Sequence, residues 1–272
     1  MNLTLKGLEN ETTEKATEKT IQSLGEFINY IQECNTKNYS SISDESNSEQ
    51  IVYRGQANVS WDCKPKVFRK KEWFENEKTI INETLRRCPN EFEGLDSFEK
   101  LVKMQHYGAP TRLLDFTGNP LIALYFACDD DSQKDKDGVV LLCKIPMFYE
   151  NGMPLSLILK NLFPDCSNNF IQINAPSIEP VLKSSNAVGI RAKLRNERIK
   201  NQDGYFAFFT YSGVYPEKLF NPLEANNCIK EKIIIPSDCK ADILSELNSC
   251  GINRAFVYPE LENQIKEICK NY

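Results

Sequence analysis

Residues 119–128 read NPLIALYFAC, with proline at the second position and almost no polar side chain after it. Proline suits a first helical turn, where its missing N–H would have had no partner anyway, so the segment predicts a helix starting after Thr117. A helix apolar on every side has no face to give to water and must be buried. The run before it, Gln105–Thr117, QHYGAPTRLLDFT, is the reverse case. Gln105, His106, Thr111, Arg112, Asp115 and Thr117 put charged and hydrogen-bonding groups between apolar helices. Left buried and unpaired, each costs roughly 1–3 kcal/mol, so they must meet one another or a ligand. Two arrangements satisfy this. In one, Arg112 and Asp115 form an internal ion pair, His106 caps a helix, and Gly108 and Pro110 make the turn, a network that only fixes the fold. In the other, the turn and the following strand line a cleft.

The rest of the chain supplies the frame. With 272 residues, 41% of them hydrophobic, it can bury about three quarters of its unfolded surface, enough for one large domain with at most a small appendage. Ile21, Leu24, Phe27, Ile28 and Ile31 recur at helical spacing, and the Ser/Asn/Asp-rich stretch Asn35–Gln50 reads as an exposed loop. We therefore expect residues 1–50 to be an N-terminal helix and polar loop, and residues 51–272 to be the main domain. IVYRGQ (51–56) predicts a short buried strand, Lys70–Leu101 predicts two or more helices, and GVVLLCKI (138–145) predicts a strand buried on both faces. A looser, proline-marked region runs to about Pro180. Strands follow around Phe206–Phe209 and Lys232–Pro236, with helices at Asp242–Asn248 and Leu261–Cys269. Helices and strands interleave without regular βαβ spacing, which predicts an α+β fold around a mixed or mainly antiparallel sheet.

Several function classes are excluded. A formal net charge of -5 argues against gripping duplex nucleic acid through its phosphates, although it leaves room for a local basic patch. The opening MNLTLKGLENETTEKATEKT carries charge throughout, unlike a signal peptide or membrane anchor, so we expect a cytoplasmic protein with no membrane partner. The ten cysteines are scattered without a Cys-x-x-Cys pair, and His106 is the sole histidine. They read as reduced, buried small hydrophobes, and no metal site is expected. The absence of a glycine-rich phosphate loop removes kinase, GTPase and Rossmann dehydrogenase readings.

Two further segments carry chemistry. YRGQ (53–56) sets Arg54 at a strand end, where its planar fork suits phosphate or carboxylate, with Gly55 beside it to let a ligand reach the backbone. RIKNQDGYF (198–206) places Gln202, Asp203 and Gly204 in a turn entering a strand. Taken together with Trp61, VFR (67–69), QHYGAPTRLLDFTGNPLIALYFA and the later IIIP and YPEL, these segments resemble the FRG domain family, named for its Phe-Arg-Gly signature; Tyr53 stands here in place of Phe. The order of motifs also looks like that of ADP-ribosyltransferases of the Arg-Ser-Glu class. That resemblance puts Arg54 at the first position, Asp115-Phe116-Thr117 on the Ser-Thr-Ser strand, where only Thr117 keeps a hydroxyl, and Gln202 at the third.

The resemblance implies NAD as substrate, with no metal. Arg54 and Gly55 would hold the pyrophosphate and Thr117 the nicotinamide ribose; Thr111 and Arg112 would join the same binding set, and Tyr107 or Tyr53 would stack on nicotinamide. Asp115 would stabilise the charge developing at the ribose, Gln202 would orient ribose or acceptor, and Gln105 and His106 would position or activate the acceptor. Implied partners are NAD or another nucleotide and a macromolecular acceptor or regulatory protein, in a toxin or anti-phage defence role. A module that binds a nucleotide or a protein without turnover is the alternative.

Overall fold

The computed structural model describes residues 16–39, 49–149, 187–191, 197–209, 223 and 228–269. Seven strands form one sheet: β1 (Thr17–Thr20), β2 (Glu49–Gln56), β3 (Leu113–Thr117), β4 (Gly138–Tyr149), β5 (Ala187–Arg191), β6 (Gly204–Phe209) and β7 (Ile229–Ile235), in the order β1-β7-β4-β2-β3-β6-β5. β1 runs parallel to β7 and β4 parallel to β5, while the remaining neighbours are antiparallel. Because β5 pairs with both β6 and the far end of β4, the strands β4, β2, β3, β6 and β5 close a ring of pairings. The fold is α+β with a mixed, mainly antiparallel sheet, as its sequence pattern predicts.

The helices are α1 (Leu24–Tyr39), α2 (Lys71–Glu75), α3 (Glu77–Arg87), α4 (Pro89–Phe92), α5 (Ser97–His106), α6 (Pro120–Cys128), α7 (Glu197–Asn201), α8 (Lys240–Ser249), α9 (Arg254–Val257) and α10 (Leu261–Cys269). None of the described helices is long and apolar enough to cross a membrane. The predicted loop at Asn35–Gln50 is overtaken by α1 as far as Tyr39, and residues 40–48 of it lie outside the described residues, as does most of the looser region before Pro180. Sequence pattern gives no sign of β1, whose side chains are all exposed, or of the short β5.

Side-chain alternation divides the core. Along β4, Val140 and Leu142 enter a layer with α1, α6 and α8, whereas Val139, Leu141, Cys143 and Ile145 enter a second cluster with Leu114, Phe116 and Phe68. A third cluster joins Phe98, Leu101 and Met104 of α5 to Leu113, Phe206 and Phe208. α1 belongs to the first layer through Leu24, Phe27, Ile31 and Cys34, so the N-terminal helix packs into the same core as the sheet. α6 presses against β2 so closely that a Cβ at Gly55 would lie 1.8 Å from the Ala123 carbonyl oxygen. Gly55 therefore admits the helix backbone there.

Local structure at both ends of α5 sets how the chain enters β3. A reciprocal capping box, Asp96 with Glu99, starts the helix. At its other end Gly108, at φ +88°, donates to Gln105 C=O and Ala109 donates to Met104 C=O, a Schellman closure that turns the chain back into β3. β2 and β3 are paired only at Tyr53 and Thr117 and separate beyond that point, which opens a slot beside Arg54.

Candidate functional site

The slot is part of a cleft of about 850 Å³, bounded by α5 on one side, by β2, β3 and Phe126 of α6 beneath, and by α7 with the Pro259–Glu260 segment on the other. That volume suits a small molecule or nucleotide. Asp115 lies on its floor, reached by the alternation of β3: Leu114 and Phe116 enter the second core cluster, and Asp115 faces the opposite way. Its carboxylate is open to the cleft yet surrounded by protein. Gln105 Nε2 donates to Asp115 Oδ1 at 2.7 Å, and the Thr111 hydroxyl donates to Gln105 Oε1. Thr111 thus fixes which way the Gln105 amide faces. Burial raises the Asp115 carboxyl above the usual carboxylate range, against the opposing charges of Arg54 and Arg198 and the Gln105 hydrogen bond.

Arg54 crosses the slot between the separated strands. Its Nη1 donates to the Asp115 carbonyl at 2.6 Å, and among the described residues its buried Nε has no partner. Thr117 donates to the Gln202 carbonyl, and the Gln202 amide donates to Val257 C=O at 3.0 Å. Gly118 N–H donates to Asp203 C=O, with Asp203 at φ 43°, a conformation that Asp tolerates better than most residues. These bonds dock the RIKNQDGYF turn onto the end of β3.

The upper rim is ionic. Arg198 Nη1 lies 3.2 Å from His106 Nδ1 and donates to Glu260 Oε1 at 3.1 Å. A guanidinium can only donate, so Nδ1 accepts and the imidazole proton sits on Nε2, the nitrogen 4.0 Å from Glu260. Burial works against charge on Glu260, but backbone hydrogen bonding and Arg198 outweigh it and hold that carboxyl below its usual range. The Tyr258 ring lies between Arg198 and Arg254, at 5.0 and 5.5 Å, and Arg254 reaches Asp129 at 3.5 Å.

Of the residues singled out from sequence, Tyr53, Arg54, Gly55, Gln105, His106, Tyr107, Asp115, Thr117 and Gln202 line this one cleft. Tyr107 is 75% exposed at the rim, whereas Tyr53 is buried with its hydroxyl on Asn35. Thr111 and Arg112 do not line it. Thr111 stands behind Gln105, and Arg112 is buried with its Nε on both Glu77 carboxylate oxygens, at 2.8 and 2.6 Å, and its guanidinium over Phe68 and Phe74. The internal ion pair expected for Arg112 is real, but its partner is Glu77 and not Asp115. Sequence reading missed Arg198 and Glu260. Both sit in segments it quoted, but nothing in their spacing links residues so far apart. Among the described residues, no group of three or more His, Cys, Asp or Glu side chains is placed to hold a metal ion.

The FRG domain family model matches residues 49–136, from the start of β2 through α6. The chain carries an FRG domain. No curated protein and no solved structure matches the chain. The matched FRG segment supplies Arg54, Gly55, Gln105, His106, Tyr107, Asp115 and Thr117 to the cleft, while Gln202, Arg198 and Glu260 come from beyond it.

Proposed function

We propose that the cleft binds NAD and that the protein cleaves the bond between nicotinamide and ribose, passing ADP-ribose to an acceptor or to water. The observation that carries this reading is the convergence of Arg54, Asp115, Thr117 and Gln202, from three separate segments, on one cleft. Arg54 suits a pyrophosphate: its charge is permanent, and its Nε is buried and unpaired among the described residues. Asp115 provides the negative charge that an oxocarbenium-like ribose needs, and its held position is preorganisation of the kind that lowers such barriers. Gln105 and Thr111 hold that carboxylate, Gln202 and Thr117 form the wall beside it, and the exposed Tyr107 ring offers a stacking surface at the mouth. His106, the rim imidazole, serves to position the acceptor through its Nε2–H.

Release of nicotinamide from NAD by the purified protein tests the reading. Wild type releases it, and Arg54→Ala and Asp115→Asn do not; failure of wild type to release it with any acceptor overturns the reading. A second reading, a module that binds a nucleotide or a protein without turnover, draws on how much of the cleft is already paired, with Thr117 on Gln202 C=O, Gln202 on Val257 and Arg198 on Glu260. It predicts NAD binding by calorimetry with no nicotinamide. A toxin or defence role rests on turnover, and it predicts a growth defect on expression of wild type that Asp115→Asn removes.

A further inference from the structure

Although the chain is acidic overall, residues 64–71 read KPKVFRKK. The structure ties this segment to the rim of the cleft at one point. Lys66 Nζ donates to Gly108 C=O at 2.5 Å, which ties the segment to the turn that carries Tyr107. Lys66 and Lys70 both stand over the Trp73 ring, at 5.7 and 4.6 Å. Arg69 donates to Lys64 C=O at 3.4 Å. Two cations in the run have carboxylate partners, Lys64 with Asp62 and Lys71 with Glu75. Lys66, Arg69 and Lys70 have none among the described residues; their partners are backbone carbonyls and an indole ring. Burial first, and the charge of Arg54 next, push the Arg69 pKa down, while Cys63 and the Asp62 carboxylate push it up. Large aromatic surface is exposed at Trp61 (44%), three residues before the run, and at Tyr107 (75%), beside the Gly108 that Lys66 reaches.

We propose that this track, Lys66, Arg69 and Lys70 flanked by Trp61 and Tyr107, binds single-stranded nucleic acid and leads it to the mouth of the cleft. Three cations without a salt bridge among the described residues match a phosphate backbone. Exposed aromatic rings match bases that are not already stacked in a duplex, and stacking is tolerant of sequence. The net acidic remainder of the chain opposes the broad phosphate contact that a duplex would make, so the preference falls on a flexible strand. The inference goes beyond the NAD reading, since binding along the track does not require turnover.

Fluorescence anisotropy with a labelled oligothymidylate and an oligouridylate tests it on the full chain, alongside a duplex of equal length, polyglutamate and vesicles of anionic phospholipid. We expect binding to the single strands only. Three phosphate contacts give a slope of log affinity against log salt near about −2. The triple variant Lys66→Gln, Arg69→Gln, Lys70→Gln should weaken binding by about tenfold to a hundredfold at low salt and flatten that slope. Trp61→Ala should weaken it by about five- to a hundredfold with the slope unchanged. Circular dichroism and nicotinamide release by the same variants keep this inference separate from the NAD reading: the variants fold, and their hydrolysis of NAD without oligonucleotide stays at the wild-type level. Equal or tighter binding of duplex, polyglutamate or vesicles overturns the proposal. So does single-strand binding that the triple variant leaves intact.

Discussion

Arg112, just ahead of β3, and Arg54, within β2, belong to neighbouring strands but sit in different electrical surroundings. Arg112 is buried, clasped by both oxygens of Glu77 and faced by two phenyl rings. Arg54 is half-buried, bonded to one backbone carbonyl, with a buried Nε that has no partner among the described residues. The first arrangement is complete without a ligand. The second is not completed by protein groups among the described residues. An arginine's role is therefore read from what remains unpaired around it, more than from its place in a conspicuous sequence run.

The contrast breaks most visibly at Arg112. Replacing it by Ala strands the Glu77 carboxylate in the core and should cost about 3–5 kcal/mol in urea unfolding, while the double change Arg112→Met with Glu77→Leu recovers most of it. Arg54→Ala should do the opposite, reducing nicotinamide release by about 10²- to 10³-fold with little change in the unfolding midpoint. The positioning pair gives a smaller effect. Thr111→Val or Gln105→Leu should lower kcat by about tenfold to a hundredfold with KM for NAD nearly constant, and Thr111→Ser should restore it. The smallest effect is a pH dependence. Burial raises the folded-state pKa of Asp115, so ionising it costs stability as pH climbs from the ordinary carboxylate range, near about 4, through the elevated value. Thermal melts should therefore find Asp115→Asn increasingly stable relative to wild type as pH rises above the ordinary carboxylate range; a constant difference would remove burial as the cause.

Much of the fold was legible in the sequence because burial leaves a periodic mark. α6 and β4 as far as Ile145 are almost wholly apolar, and most of their described side chains are buried. β1 left no such mark, being a strand of exposed side chains that joins β7 through backbone pairing and the Thr17 hydroxyl on Glu231. Within QHYGAPTRLLDFT, residue type identified the cleft members Gln105, His106, Asp115 and Thr117. It did not separate them from Arg112, because the difference is made by Glu77, a residue in an earlier helix with no pattern to announce it. Arg198 and Glu260 escaped for the same reason: a rim assembled by the sheet's ordering of distant segments has no local signature.

Gln105 and His106 occupy the last turn of α5, and the Schellman closure at Gly108 and Ala109 is what holds that turn. Helix ends open more readily than helix middles. When this one frays, the donor to Asp115 and the rim imidazole leave together, so the cleft loses its floor contact and its rim in a single local opening. Amide hydrogen exchange at Ala109 then becomes a clock for how often the site is assembled. Any ligand that needs both groups should slow that exchange without touching Ala109 itself.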